Sequence, residues 1–371
     1  MALRLLLSAA LVASTVVAQT FTDCNPMEKT CPPNIALGAA NQTFDFTNPV
    51  NTKVWNQTAG PMTYQANAGA RFTIQNRGES PTIKSNFYLM FGSVSVFMVA
   101  ARGQGIVSSI VLQSDDLDEV DWEILGGNTT HVQSNYFGKG NQTSFDRAIW
   151  HPVNWEPQAE YHNYTTHWTK DSLEWWIDGA LVRTLKYGDT WGNGLNYPQT
   201  PMNIRLGIWA GGDKNASKGT IEWAGGLTDY SKAPFSMFVK NCTATDFSTG
   251  ATYEWTDRSG SYQSIKATSG NSTVLNAIHA PVGVTGHWNA LSVATRTGIL
   301  VGGLGGFAAL LLASFVFCCI QAKKGKAEKA IADQEWEKEQ AEFSHYRMQM
   351  MKGGFGQSNV EPVPAMPPQR F

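Results

Sequence analysis

Cysteine is scarce in this chain, with five residues in 371. A fold stapled by disulfides is thereby excluded, and the bulk of the chain must hold itself with an apolar core. An excess of basic charge is missing too. The formal net charge is −2 and no basic patch stands out, which argues against nucleic acid as a partner. From Gln19 to about Ile265 no long helical period runs through the pattern, so helices do not carry that region. The acidic cluster Asp115, Asp116, Asp118 and Glu119 lacks the glycine that an EF-hand loop needs at its sixth position. No metal or cofactor is expected.

What is present first concerns location. Met1-Ala-Leu-Arg and the apolar run from Leu5 to Val17 read as a secretory signal peptide over 1–18, with Val16-Val17-Ala18 as the cleavage site. Eight Asn-X-Ser/Thr sequons follow, at Asn41, Asn56, Asn128, Asn141, Asn163, Asn215, Asn241 and Asn271, as expected of a glycosylated ectodomain. Thr297 to Ile320 is a stretch of 24 residues without a charge, long enough to cross a membrane as a helix. Lys323, Lys324, Lys326 and Lys329 come next, which places the tail 321–371 in the cytosol. A single-pass surface protein is therefore expected, against the alternative of a C-terminal lipid anchor whose apolar tail would end the chain. Cys318 and Cys319, at the inner edge of the span, are either acylated or apolar filler. In an oxidising compartment Cys24 and Cys31 are expected to close a small disulfide loop, leaving Cys242 a buried free thiol.

Between leader and span the chain alternates short strands with Gly, Asn, Asp and Pro. Arg71–Ile74, Phe87–Phe91, Ser93–Val99, Ile106–Leu112 and Leu173–Ile177 show period-two or β-branched patterning, and Asp178-Gly179 marks a hairpin. An all-β jelly-roll sandwich is predicted over 19–270. The Ser/Thr/Gly-rich segment 271–296 reads as a stalk, and the tail as mostly disordered, with a charged stretch over Ala327–Phe343 able to form a helix and a Pro-rich end.

Residues 117 to 125, Leu-Asp-Glu-Val-Asp-Trp-Glu-Ile-Leu, say the most about chemistry. Strand alternation puts Glu119, Asp121 and Glu123 on one face and Val120, Trp122 and Ile124 on the other. Neighbouring carboxylates raise each other's pKa, so such a row has little structural use. One ionised and one protonated carboxyl group is what cleavage of a glycosidic bond needs. Residues 119 and 123 would stand about 13 Å apart at Cα on a flat strand, so the strand is expected to curve around the sugar. Nine of the 13 tryptophans lie between Trp122 and Trp223, a density that suits the apolar faces of sugar rings. Arg205 and Trp209 share strand parity and face one side.

These motifs resemble the Glu-x-Asp-x-Glu signature of glycoside hydrolase family 16. Gln133-Ser-Asn-Tyr-Phe-Gly-Lys-Gly, Phe145-Asp-Arg, Tyr161-His162 through His167-Trp168, Trp176-Ile-Asp-Gly and Gly219-Thr-Ile-Glu-Trp-Ala-Gly-Gly226 are similar to the Crh-type transglycosylases of the fungal cell wall. The resemblance covers about Asp23 to Ile265. It implies a β-jelly roll, a chitin donor, and β-glucan or chitin as acceptor. It further implies Glu119 as nucleophile, Asp121 as assistant and Glu123 as general acid/base, with Arg205, Trp209, Thr220, Gln133 and Asn135 on the sugar. The chain departs from some relatives in lacking a cysteine-rich chitin-binding module and in carrying its charged tail. A retaining endo-hydrolase of chitin or β-glucan is the nearest alternative, and a non-catalytic cell-wall lectin a more distant one.

Overall fold

The computed structural model describes residues 21–141, 143, 146–281 and 283–352. The leader over 1–18, Phe145 and the end of the tail lie outside the described residues. Residues up to Ala280 form one compact unit and those from Pro281 another.

In the first unit the alternating segments pair into two antiparallel sheets, except Phe87–Phe91, which makes only isolated bridges at Tyr88 and Leu89. One has seven strands, running Ile149–Pro152, His131–Phe137, Glu119–Leu125, Ile106–Ser114, Met202–Ala210, Thr82–Ser85 and Trp55–Ala59 from edge to edge. The other has eight and is centred on Gly92–Val99, flanked by His162–Trp168 and Phe235–Asp246. The apolar face of each strand turns to the space between the sheets. Val94, Val96 and Met98 of one sheet, and Val120, Trp122, Ile124, Ile204, Leu206 and Ile208 of the other, all belong to one buried cluster. This is the jelly-roll sandwich that the alternation predicts.

A three-stranded sheet of Asn34–Ile35, Thr252–Trp255 and Ile265–Thr268 closes one end. Asp246 ties it down by accepting from the backbone amides of Gly38 and Met90 and from the Tyr253 hydroxyl. The Cys24–Cys31 disulfide is formed, and Cys242 is a buried free thiol.

The segment read as a stalk is more ordered than its composition suggests. Ser272 caps a helix over Thr273–His279 by accepting from the amides of Val274 and Leu275 and donating to the Ala36 carbonyl. Val274 joins the main core, so the first unit extends past 270. In the second unit Gly283–Ala290 is helical, and one 60-residue helix covers Val293–Lys352. That helix holds the apolar run expected to span a membrane, and it is long and apolar enough to do so. It also runs through residues 321–352, which were expected to be mostly disordered. The reason is compositional: Ala, Glu, Lys and Gln are strong helix formers, and no Gly or Pro falls between Gly325 and Gly353.

Candidate active site

The strand Glu119–Leu125 lies inside the seven-stranded sheet, paired on both sides. Glu119 stands opposite Gln113 and Phe137, Asp121 opposite Val111 and Asn135, and Glu123 opposite Ser109 and Gln133. Trp122 and its apolar neighbours on the reverse face are locked in the core, which fixes the side to which the acids point. Across the sandwich, Trp175 donates its indole N–H to the carbonyl of Asp121 at 3.2 Å and pins the strand at its middle residue.

The turn leading into the strand is held as firmly. Leu117 takes a left-handed conformation, φ 68°, between two buried aspartates. The Asp118 carboxylate accepts from the amides of Lys139 and Gln199 and from the Thr200 hydroxyl, at 2.7–2.9 Å. Asp116 accepts from the Asp118 amide and lies 2.7 Å from the same hydroxyl, whose single proton the two carboxyl groups share. Asp115 turns away to Tyr88 and Asn34. Among the described residues no set of His, Cys, Asp and Glu side chains gathers to hold a metal ion.

Loss of water dominates the electrostatics of the three acids. Burial pushes Glu119 up to about 7, against a hydrogen bond from Asp121 and the charge of Arg205, both of which pull it down. Burial, followed by the charges of Glu119 and Glu123, holds Asp121 well above the usual carboxylate range. Glu123 rises to about 8 through burial, opposed by the hydroxyl of Ser109. Asp121, raised most, keeps its proton and shares it with Glu119, so the hydrogen bond and the Arg205 charge make Glu119 the acid of the row most favoured to ionise.

The residues expected to touch sugar separate in the structure. Trp209 stacks on Trp223 with ring centroids 5.8 Å apart, and its indole N–H donates to Ser109 at 3.1 Å. Trp223 donates to Gln133 at 3.2 Å, so Gln133 is engaged with a neighbouring wall. Asn135 shares the face with Asp121, and its side-chain oxygen accepts from the Tyr136 amide. Thr220 sits in the first turn of the helix Lys218–Trp223, and its hydroxyl meets that of Ser217. Arg205 differs most from its expected place. Only 3% exposed, it packs its guanidinium 4.7 Å from the Phe21 ring and donates to the Phe21 carbonyl and to Asn203. Its positive charge reaches Glu119, but its surface is covered.

Sequence reasoning missed Ser109 and Phe21, and held Trp223 only as one of a run of tryptophans suited to sugar. For Ser109 the signal was a pair of serines inside the apolar run Ile106–Leu112. Phe21 gave none, because nothing local shows that the segment before Cys24 folds back on Arg205 and Gln113.

Comparison with known proteins agrees with this geometry. The model of glycosyl hydrolases family 16 matches residues 50–225. Crh-like protein 2 of Botryotinia fuckeliana is 51% identical over 95% of this chain and 79% of its own length. Crh-like protein 3 of Aspergillus fumigatus is 49% identical over 97% of this chain and 99% of its own. The solved Crh5 transglycosylase in complex with NAG superposes with a TM-score of 0.63 at 55% identity, covering 66% of this chain and all of that one. With the three-acid strand, the sandwich and near-full-length relatives together, the chain belongs to the Crh-like proteins of glycosyl hydrolases family 16.

Proposed function

We propose that this protein is a retaining transglycosylase that cuts chitin and joins the released chain to β-glucan or chitin at the cell surface. The carrying observation is the acid row itself, Glu119, Asp121 and Glu123 on one face of a strand paired on both sides, with Ser109 bonded to Glu123. In the first step a Glu119 oxygen attacks the anomeric carbon while the glycosidic C–O bond breaks. Glu123 gives its proton to the departing oxygen, and the cut chain stays as an ester on Glu119. In the second step the Glu123 carboxylate takes a proton from an acceptor hydroxyl, whose oxygen attacks the same carbon and releases Glu119. Water as acceptor gives hydrolysis; a sugar hydroxyl gives transfer.

The stacked Trp209–Trp223 pair beside Glu123 offers apolar surface for a sugar ring. We assign Arg205 the task of holding Glu119 ionised rather than that of touching sugar. The names of the relatives, Crh-like proteins and a Crh5 transglycosylase, favour transfer over hydrolysis. The long apolar helix suits a protein tethered in the plasma membrane with its sandwich outside.

Product analysis tests the reading. Incubation of the protein with chito-oligosaccharide and a labelled glucan should give labelled products larger than the acceptor. Only shortened chitin fragments, with the label unchanged, would replace transfer by hydrolysis.

A further inference from the structure

Ser109 is fully buried on the strand Ile106–Ser114, directly opposite Glu123. Its hydroxyl has two partners: it donates to Oε2 of Glu123 at 3.0 Å and accepts the indole N–H of Trp209 at 3.1 Å. An indole N–H can only donate, so the serine oxygen is the acceptor in that contact. The single serine proton is then left for Glu123. Gly207, the other neighbour of Ser109 across the sheet, has no side chain to block the Trp209 indole from reaching back.

We propose that Ser109 is a positioning residue for the acid/base, fixing which oxygen of Glu123 carries the transferred proton, with Trp209 setting the direction of the serine hydroxyl. Of the two oxygens of a protonated carboxyl group the carbonyl oxygen is the better acceptor, so the Ser109 proton favours Oε2 as the carbonyl. The acid proton therefore resides on Oε1, and Oε1 is the oxygen that delivers it to the leaving group and later receives one from the acceptor. When Glu123 is ionised, Ser109 still donates to Oε2 and stabilises the carboxylate. The relay thus serves both steps of the cycle. This assignment rests on the reading of Glu123 as acid/base.

The other groups around Glu123 define the background of the titration. Glu119 and Asp121 lie on its own strand, and Ile106–Ser114 contributes only the neutral Ser109 beside it. His131–Phe137 supplies the neutral Gln133 and, two residues back on the same face, His131. Met202–Ala210 supplies Trp209 and Arg205, whose charge acts on Glu119. On the short helix Lys218 and Glu222 face each other.

The test compares Ser109→Ala, Ser109→Thr, Trp209→Phe and Glu123→Gln in the full-length protein, by transfer rate across pH with thermal melting as the fold control. Ser109→Ala should move the basic limb of kcat/KM upward by about one pH unit, the scale of one hydrogen bond to a charged group, and lower kcat with little change in KM. Ser109→Thr should restore the limb. Trp209→Phe keeps a ring but takes the indole N–H away from both Ser109 and Glu123, so it should shift the limb the same way; it also keeps the test open should Ser109→Ala not fold. An unmoved limb in folded Ser109→Ala, or in Trp209→Phe where that alone folds, with Glu123→Gln inactive, overturns the relay and leaves Glu123 in its role. Full activity in Glu123→Gln instead removes the underlying assignment.

Discussion

The two sheets of the sandwich use one alternating pattern and end with different outer faces. In the eight-stranded sheet, Gly92–Val99 and His162–Trp168 alternate strictly between buried and half-buried positions. Small polar groups such as Ser95 and Thr165 meet there, 2.6 Å apart, within reach of water. In the seven-stranded sheet, Ile106–Ser114 is buried at every position and Met202–Ala210 at all but one. Trp209, Trp223 and Phe21 stand along that second face, where Asp121 is buried and Glu119 and Glu123 are half-buried. The acids beneath are therefore placed where losing water is the largest influence on their charge. A carboxylate row on the solvated sheet would have been an ordinary surface.

The largest effect that tests this contrast is catalytic. Glu119→Gln and Glu123→Gln should each lower transfer by about 10²–10⁴-fold with cooperative unfolding retained, whereas Glu174→Gln, on the outer face of the eight-stranded sheet, should stay near wild type. Comparable losses from all three would erase the distinction. Next in size is the tie between the sheets. Trp175→Ala removes a fully buried indole and its bond to Asp121, and should cost about 3–5 kcal/mol in denaturant unfolding. A loss no larger than that of an outer-face Ser95→Ala would show that the acid strand does not depend on its partner sheet.

The smallest effect is a pH slope. Glu123 ordinarily titrates near 4.5 and is raised to about 8 in the fold. Between those values the folded state holds a proton that the unfolded chain has released. Its contribution to stability is complete below 4.5 and lost as pH rises through about 8. Glu123→Gln should flatten that decline and raise the melting temperature near the upper end. An unchanged slope would mean that this face is wetter than its packing indicates.

Much of this was readable in the chain, and the limits have physical causes. Period two in Ser93–Val99 and in residues 117–125 follows from strand geometry and needs no partner to be seen. The acids announce themselves because like charges at that spacing are costly. Ser109, by contrast, matters only through the register that sets it opposite Glu123, and register is a property of two strands. Arg205 was rightly placed on the face with Trp209, yet local parity could not show Phe21 covering it. Ser272 looked like one more polar residue in a stalk until the Ala36 carbonyl, far away in sequence, supplied its partner. The composition of Ala327–Phe343 already allows a helix, but nothing local shows that it continues unbroken from the apolar run, as it does over Val293–Lys352.

Cys242 gives the sandwich a chemical clock. Fully buried on the strand Phe235–Asp246, it is the one unpaired thiol of the first unit, with Cys318 and Cys319 in the second. Burial holds its proton firmly, so a thiol reagent can reach it only when the sandwich itself opens. The labelling rate of that sulfur would time global opening without touching the face that carries the acid row.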